Sequence, residues 1–133
     1  MPRQHILACL LLVYGVASLV HFTHNAEYLA DYPNLPQSWS RADVYVVWLA
    51  MTAVGIAGWL LVSRGRVLAG LCVLVIYAAL GIDSLGHYVL APLGAHTAAM
   101  NSTIFMEVCA AALVLVEVAR QMVGRLAGKT SLK

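Results

Sequence analysis

Polar and apolar positions in this chain alternate on a long scale, with four extended apolar runs divided by short stretches of charge, proline and hydroxyl residues. The runs cover residues 5–28, 42–63, 67–91 and 97–122. Each supplies the roughly 20 helical residues that cross a hydrocarbon layer. The first run turns polar at His21, so the predicted helix carries His21-Phe22-Thr23-His24 in its last turns. The second, from Ala42 to Val62, has Tyr45 and Trp59 near its two ends, as an aromatic belt would. Its small residues Ala53, Gly55, Ala57 and Gly58 suit close helix packing. The third runs from Val67 to Ala91 and stops at Pro92, whose ring disfavours further helix. The fourth starts at Thr97 with His96 just outside, or later with Asn101 as its N-cap, and the choice sets the depth of Glu107.

The pattern predicts an all-α integral membrane protein: a four-transmembrane-helix up-down bundle forming one membrane domain over 1–133, without internal repeats. Between the first two helices, Glu27 to Ser40 contains Pro33, Pro36, Tyr28, Tyr32 and Trp39, and reads as an aromatic cap in the headgroup zone. Composition agrees, with 62% hydrophobic and 11% charged residues and a mean hydropathy of +0.82, which excludes an ordinary soluble domain. The start, Met1-Pro2-Arg3-Gln4-His5, has the charge of a signal peptide, and Val16-Ala17-Ser18 resembles a cleavage site. It is read here as an uncleaved first helix. Cys9, Cys72 and Cys109 fall in different runs with no CxxC spacing, so they are expected to be small packing residues.

Charge orients the bundle. Arg3 precedes helix 1, Arg64 and Arg66 fill the tight connection after helix 2, and Arg120, Arg125, Lys129 and Lys133 lie at the end of helix 4. By the positive-inside rule both the N- and C-termini are cytoplasmic, and the expected location is a bacterial inner membrane with the other two loops facing the periplasm. Membrane lipids are the expected partners of the basic tail, and no feature points to nucleic acid.

This topology gathers ionisable residues that are distant in sequence. His21 and His24 end helix 1, Asp83 and His87 end helix 3, and His96 precedes helix 4, all on the outer side. His96, Met100, Thr103 and Glu107 follow one helical stripe. Buried carboxylates in hydrocarbon must be protonated, paired or bound to a cation, and Arg41 is the one Lys or Arg on this side. Histidine and carboxylate together are ligands for zinc, iron or copper. The leading expectation is therefore a transition-metal site of His21, His24, Asp83, His87 and His96, with Asp83 and Glu107 as catalytic or proton-carrying acids. The Asp83-x-x-x-His87 pattern with the later His96 resembles the intramembrane copper site in the C subunit of particulate methane monooxygenases. That likeness covers one helix end, the spacing to the second histidine differs, and it is a chemical analogy.

Three other classes compete with a metal site. A b-type haem would be held by His21 or His24 with His87, Gly81 and Gly86 making room for the ring. A metal-free acid/base enzyme would use the same groups on a lipid-soluble molecule. An accessory role would have these residues meet other membrane subunits. Each residue also has a plain reading: His21 and His24 as interfacial hydrogen-bonding groups, His96 as a cap, and Asp83–His87 as a structural ion pair. Glu107 could be a protonated acid held by Thr103 or Asn101, and Glu117–Arg120 a surface pair at the inner interface.

Overall fold

The computed structural model describes residues 2–130 and the side chains of 5–128. The side chains of Arg3 and Lys129, and Lys133 altogether, lie outside the described residues. The elements are α1 (Pro2–Glu27), α2 (Arg41–Ser63), α3 (Val67–Ile82), the single turn α4 (His87–Leu90) and α5 (Ala98–Thr130), with no strand among the described residues. Four helical stretches, His5–Glu27, Arg41–Ser63, Val67–Leu90 and Ala98–Gly128, are long and apolar enough to span a membrane. α2 packs on α3, α3 on α5, α5 on α1 and α1 on α2, so the four close into a ring.

The packing follows from residue spacing. In α5 the buried positions Met100, Ile104, Glu107, Ala111, Val114, Val118 and Gln121 recur by alternating steps of four and three. In α2, Val44, Met51, Gly55, Gly58 and Val62 keep the same register. Such a seam faces a neighbour crossing at a shallow angle and interlocks side chains along its length. Glu107 is therefore a seam residue, set between Ile104 and Ala111. α2 begins with a full capping box, in which Ser40 accepts from the Asp43 backbone N–H and the Asp43 carboxylate accepts from the Ser40 backbone. It ends at a turn where Gly65 takes φ 82°, a conformation that costs glycine nothing. At Gly70 a Cβ would lie 2.7 Å from the Gly58 carbonyl and 2.7 Å from the Val62 nitrogen, so only glycine lets α2 and α3 approach this closely. Across the bundle the Tyr14 hydroxyl donates to the Tyr77 carbonyl at 3.0 Å, and the two rings stack at 4.4 Å.

Several expectations change. The third span is not one α-helix to Ala91: α3 ends at Ile82, a 3₁₀ turn covers Asp83–Gly86, and α4 ends at Leu90 before the extended Ala91 and Pro92. Cys9, Cys72 and Cys109 are exposed on the outside of the bundle and do not pack within it. Glu117 does pair with Arg120, at 2.7 Å, but its carboxylate is buried and also accepts from Gln121 at 2.9 Å.

Candidate acid/base site

The start of α5 decides where its polar stripe lies. Thr97 caps the helix, its hydroxyl accepting from the Met100 N–H at 3.2 Å, which places the first turn at Ala98. Asn101 sits inside the helix, donating to the Leu93 carbonyl and accepting from the Tyr88 hydroxyl at 2.8 Å. Glu107 is then roughly 14 Å along the axis from the helix start. The stripe turns inward as a unit, with His96, Met100 and Glu107 buried and Thr103 half-buried.

The 3₁₀ turn determines which residues of the third span join it. At three residues per turn, positions four apart no longer share a face. Asp83 consequently points outward and is exposed, while Ser84 turns in and donates to Glu107 Oε2 at 2.6 Å, and His87 turns in among the histidines. The expected Asp83–His87 face is not formed, and Asp83 is not a buried carboxylate.

His21 is the centre of the cluster. It is 1% exposed, and its Nε2 stands 3.7 Å from Glu107 Oε2, itself on a side chain 0% exposed. Its Nδ1 meets the Thr103 hydroxyl at 3.3 Å. The Thr103 hydroxyl donates to the Met100 carbonyl at 3.0 Å, so it accepts from His21 Nδ1–H, and in the neutral ring Nε2 is left as a lone pair. A lone pair and a carboxylate oxygen thus face one another in a closed space. Glu107 Oε1 makes no close hydrogen bond among the described residues. The Ser18 hydroxyl flanks the same carboxyl from α1.

The other rings extend this core. His87 meets His21 edge-on at 5.5 Å and His96 at 6.2 Å, and Asn25 Nδ2 lies 3.4 Å from its Nε2. His96 donates Nδ1–H to the Pro92 carbonyl at 3.1 Å, which leaves its buried Nε2 without a partner. His24 joins this group through Tyr32, its Nδ1 2.9 Å from the Tyr32 hydroxyl. Among the described residues no three His, Cys, Asp or Glu side chains gather closely enough to hold one metal ion. The predicted sphere of His21, His24, Asp83, His87 and His96 is not assembled, because the 3₁₀ turn ejects Asp83 and Tyr32 occupies His24.

Tyr32 and Ser84 are the participants that residue patterns missed, while Thr103, on the expected stripe, meets His21 and leaves Glu107 to Ser84. Contrary to the headgroup cap that the sequence pattern predicts, Tyr32 is 3% exposed and its ring packs at a tilt on His87 at 5.1 Å, whereas Tyr28 and Trp39 are exposed. Burial pushes its hydroxyl up to about 12, against a smaller opposing pull from the Thr103 hydroxyl beside it. Tyr32 also forms part of the wall of a hollow of about 730 Å³ beneath the α1–α2 loop, with Glu27, Trp39 and Arg41. Arg41 pairs with Glu27 at 2.8 Å beside this hollow, and Asn34, at φ 60°, donates to the Leu90 carbonyl at 2.9 Å. A second groove of about 470 Å³ between α1 and α2 is apolar and includes none of the candidate site residues.

No family model matches the chain, and no curated protein or solved structure matches it.

Proposed function

We propose that this is a membrane acid/base protein whose working centre is the His21–Glu107 pair, exchanging a proton with a lipid-soluble substrate. One observation carries the reading: two acceptor atoms, His21 Nε2 and Glu107 Oε2, face each other at 3.7 Å inside the bundle. Neither has a Lys or Arg partner among the described residues, so a shared proton is what relieves their repulsion. A pair that shares one proton can give it up or take one back, which is the requirement for general acid/base work. Lying within a span-length apolar helix, the pair would meet molecules that dissolve in the membrane, with His87 and His96 adjusting its surroundings.

The test is infrared spectroscopy of the full chain in lipid vesicles. A protonated-carboxyl stretch that shifts in deuterium oxide and disappears in Glu107→Gln is expected. Its absence from the unmodified protein across the neutral range would end this reading.

A second reading is favoured by His96, whose Nδ1–H is held by a backbone carbonyl while Nε2 is bare, the tautomer that metal-ligating histidines adopt. Zinc, copper or iron would need His87 or His96 to swing toward Glu107. Elemental analysis of protein purified in mild detergent, without chelator or affinity metal, decides between them, and a near-stoichiometric metal would replace the proton with a cation. Haem between His21 and His87 is not favoured, since those rings touch edge to face.

We propose further that the site faces the periplasm in a bacterial inner-membrane protein with cytoplasmic termini, a reading supported by Arg64, Arg66, Arg120 and Arg125 at the opposite end. An Asp31→Cys variant should react with a membrane-impermeant thiol reagent from the periplasm, and labelling only from the cytoplasmic side would reverse the orientation.

A further inference from the structure

The pair lies deep, yet a succession of proton-carrying side chains runs from it toward the bundle end. The hollow beneath the α1–α2 loop meets the polar cluster at Tyr32. The Tyr32 hydroxyl is 2.9 Å from His24 Nδ1 and has the Thr103 hydroxyl beside it. Thr103 is 3.3 Å from His21 Nδ1, and His21 Nε2 is 3.7 Å from Glu107. Around the buried carboxyl the Ser84 hydroxyl donates to Oε2, and Ser18, Tyr14 and Tyr77 also stand near it.

We infer that Tyr32 is the proton relay of this protein, connecting water in the hollow to the His21–Glu107 pair through Thr103. The inference rests on the acid/base reading above.

The step balances without any co-reactant. A proton leaving Glu107 for His21 Nε2 makes an imidazolium, which releases its Nδ1 proton to Thr103 Oγ1. Thr103 turns its own hydroxyl hydrogen from the Met100 carbonyl to Tyr32, and Tyr32 passes its phenolic hydrogen to His24 Nδ1 or to water. Each intermediate group gains one proton and loses one, and His21 is left with Nδ1 bare, ready for the return. Tyr32 acts as a neutral carrier and never as the acid or base of a reaction, so it is a positioning residue and not a catalytic one.

The experiment follows the Glu107 carboxyl band after the full chain in phosphatidylcholine vesicles is mixed rapidly into deuterium oxide. Tyr32→Phe keeps the ring against His87 and removes only the hydroxyl, and Thr103→Val removes the next hydroxyl. Both should slow deuteron arrival by about tenfold or more, as for a barrier raised by one lost proton-transfer partner. The band position should stay unchanged, and Thr103→Ser, which restores the hydroxyl, should restore the rate. A merely structural role would shift the band or unfold the protein without this selective rescue. An unchanged rate in Tyr32→Phe, or slowing in only one of the two variants, overturns the relay. Absence of the band from the unmodified protein would instead remove the acid/base reading on which the relay depends, so the two failures are distinct.

Discussion

Replacing Glu107 by Gln and by Leu separates a shared proton from a buried ion pair. In Glu107→Gln the amide offers an acceptor for the Ser84 hydroxyl and a donor for the His21 Nε2 lone pair, and because both groups approach Oε2 in the native chain, a small side-chain shift is needed to serve both. One hydrogen bond is exchanged for another of similar kind. Such bonds inside membrane bundles average roughly 0.6 kcal/mol, so the expected cost is below about 1 kcal/mol. In Glu107→Leu the Ser84 hydroxyl and His21 Nε2 both lose their partner, and each stranded group costs about 1–3 kcal/mol, giving about 2–6 kcal/mol in all. The two variants should therefore differ by at least about 1 kcal/mol, several-fold in the unfolding equilibrium. The measurement is reversible unfolding in mixed micelles titrated with a denaturing detergent, followed by helical circular dichroism. If Gln cost as much as Leu, in the range of about 3–5 kcal/mol that follows loss of one partner from a buried ion pair, His21 and Glu107 would be charged and the neutral pair would be wrong.

Three further outcomes are expected. Gly70→Ala places a methyl against the Gly58 carbonyl and the Val62 nitrogen and should cost about 1–3 kcal/mol despite its gain in helix propensity. Gly86→Ala meets nothing within 4 Å and should leave the midpoint nearly unchanged, and equal effects at the two sites would contradict the α2–α3 contact. Asp83→Asn, on an exposed side chain, should change stability by less than about 0.5 kcal/mol, and a loss of several kcal/mol would restore Asp83 to the interior. The Tyr32 hydroxyl, held up to about 12, binds its proton more tightly in the folded chain than in the unfolded one. Its contribution is full below the ordinary tyrosine value of about 10 and is lost as pH rises from there through about 12. The stability difference between wild type and Tyr32→Phe should shrink over that interval, and a flat difference would place Tyr32 in water.

The spans were legible because hydrocarbon imposes one requirement on all of them, about 20 apolar residues with every backbone group satisfied. The end of the bundle that gathers the histidines followed from the same constraint. The stripe from His96 to Glu107 was legible because α5 is regular from Ala98 onward. What failed was local: the same Ile82-Asp83-Ser84-Leu85-Gly86-His87 stretch reads as α-helix by composition, and a change from 3.6 to three residues per turn exchanged Asp83 for Ser84 on the inner face. Tyr32 was missed because an aromatic in a proline-bearing loop between membrane helices has the pattern of an interfacial residue. Only its contact with His87, far away in sequence, draws it inward.

Asn34 gives the bundle end a mechanical property. Its side chain takes up a last-turn carbonyl of the α4 segment, and its left-handed backbone lets the loop double back far enough to do so. The α1–α2 connection is thereby fastened to the stretch that carries His87, like a clasp joining the two halves of a collar. A strain applied to the loop reaches the imidazoles through that clasp without passing along any helix. Displacing the loop would therefore move Tyr32 and His87 together, so that opening the cluster to water and loosening its rings would be one motion.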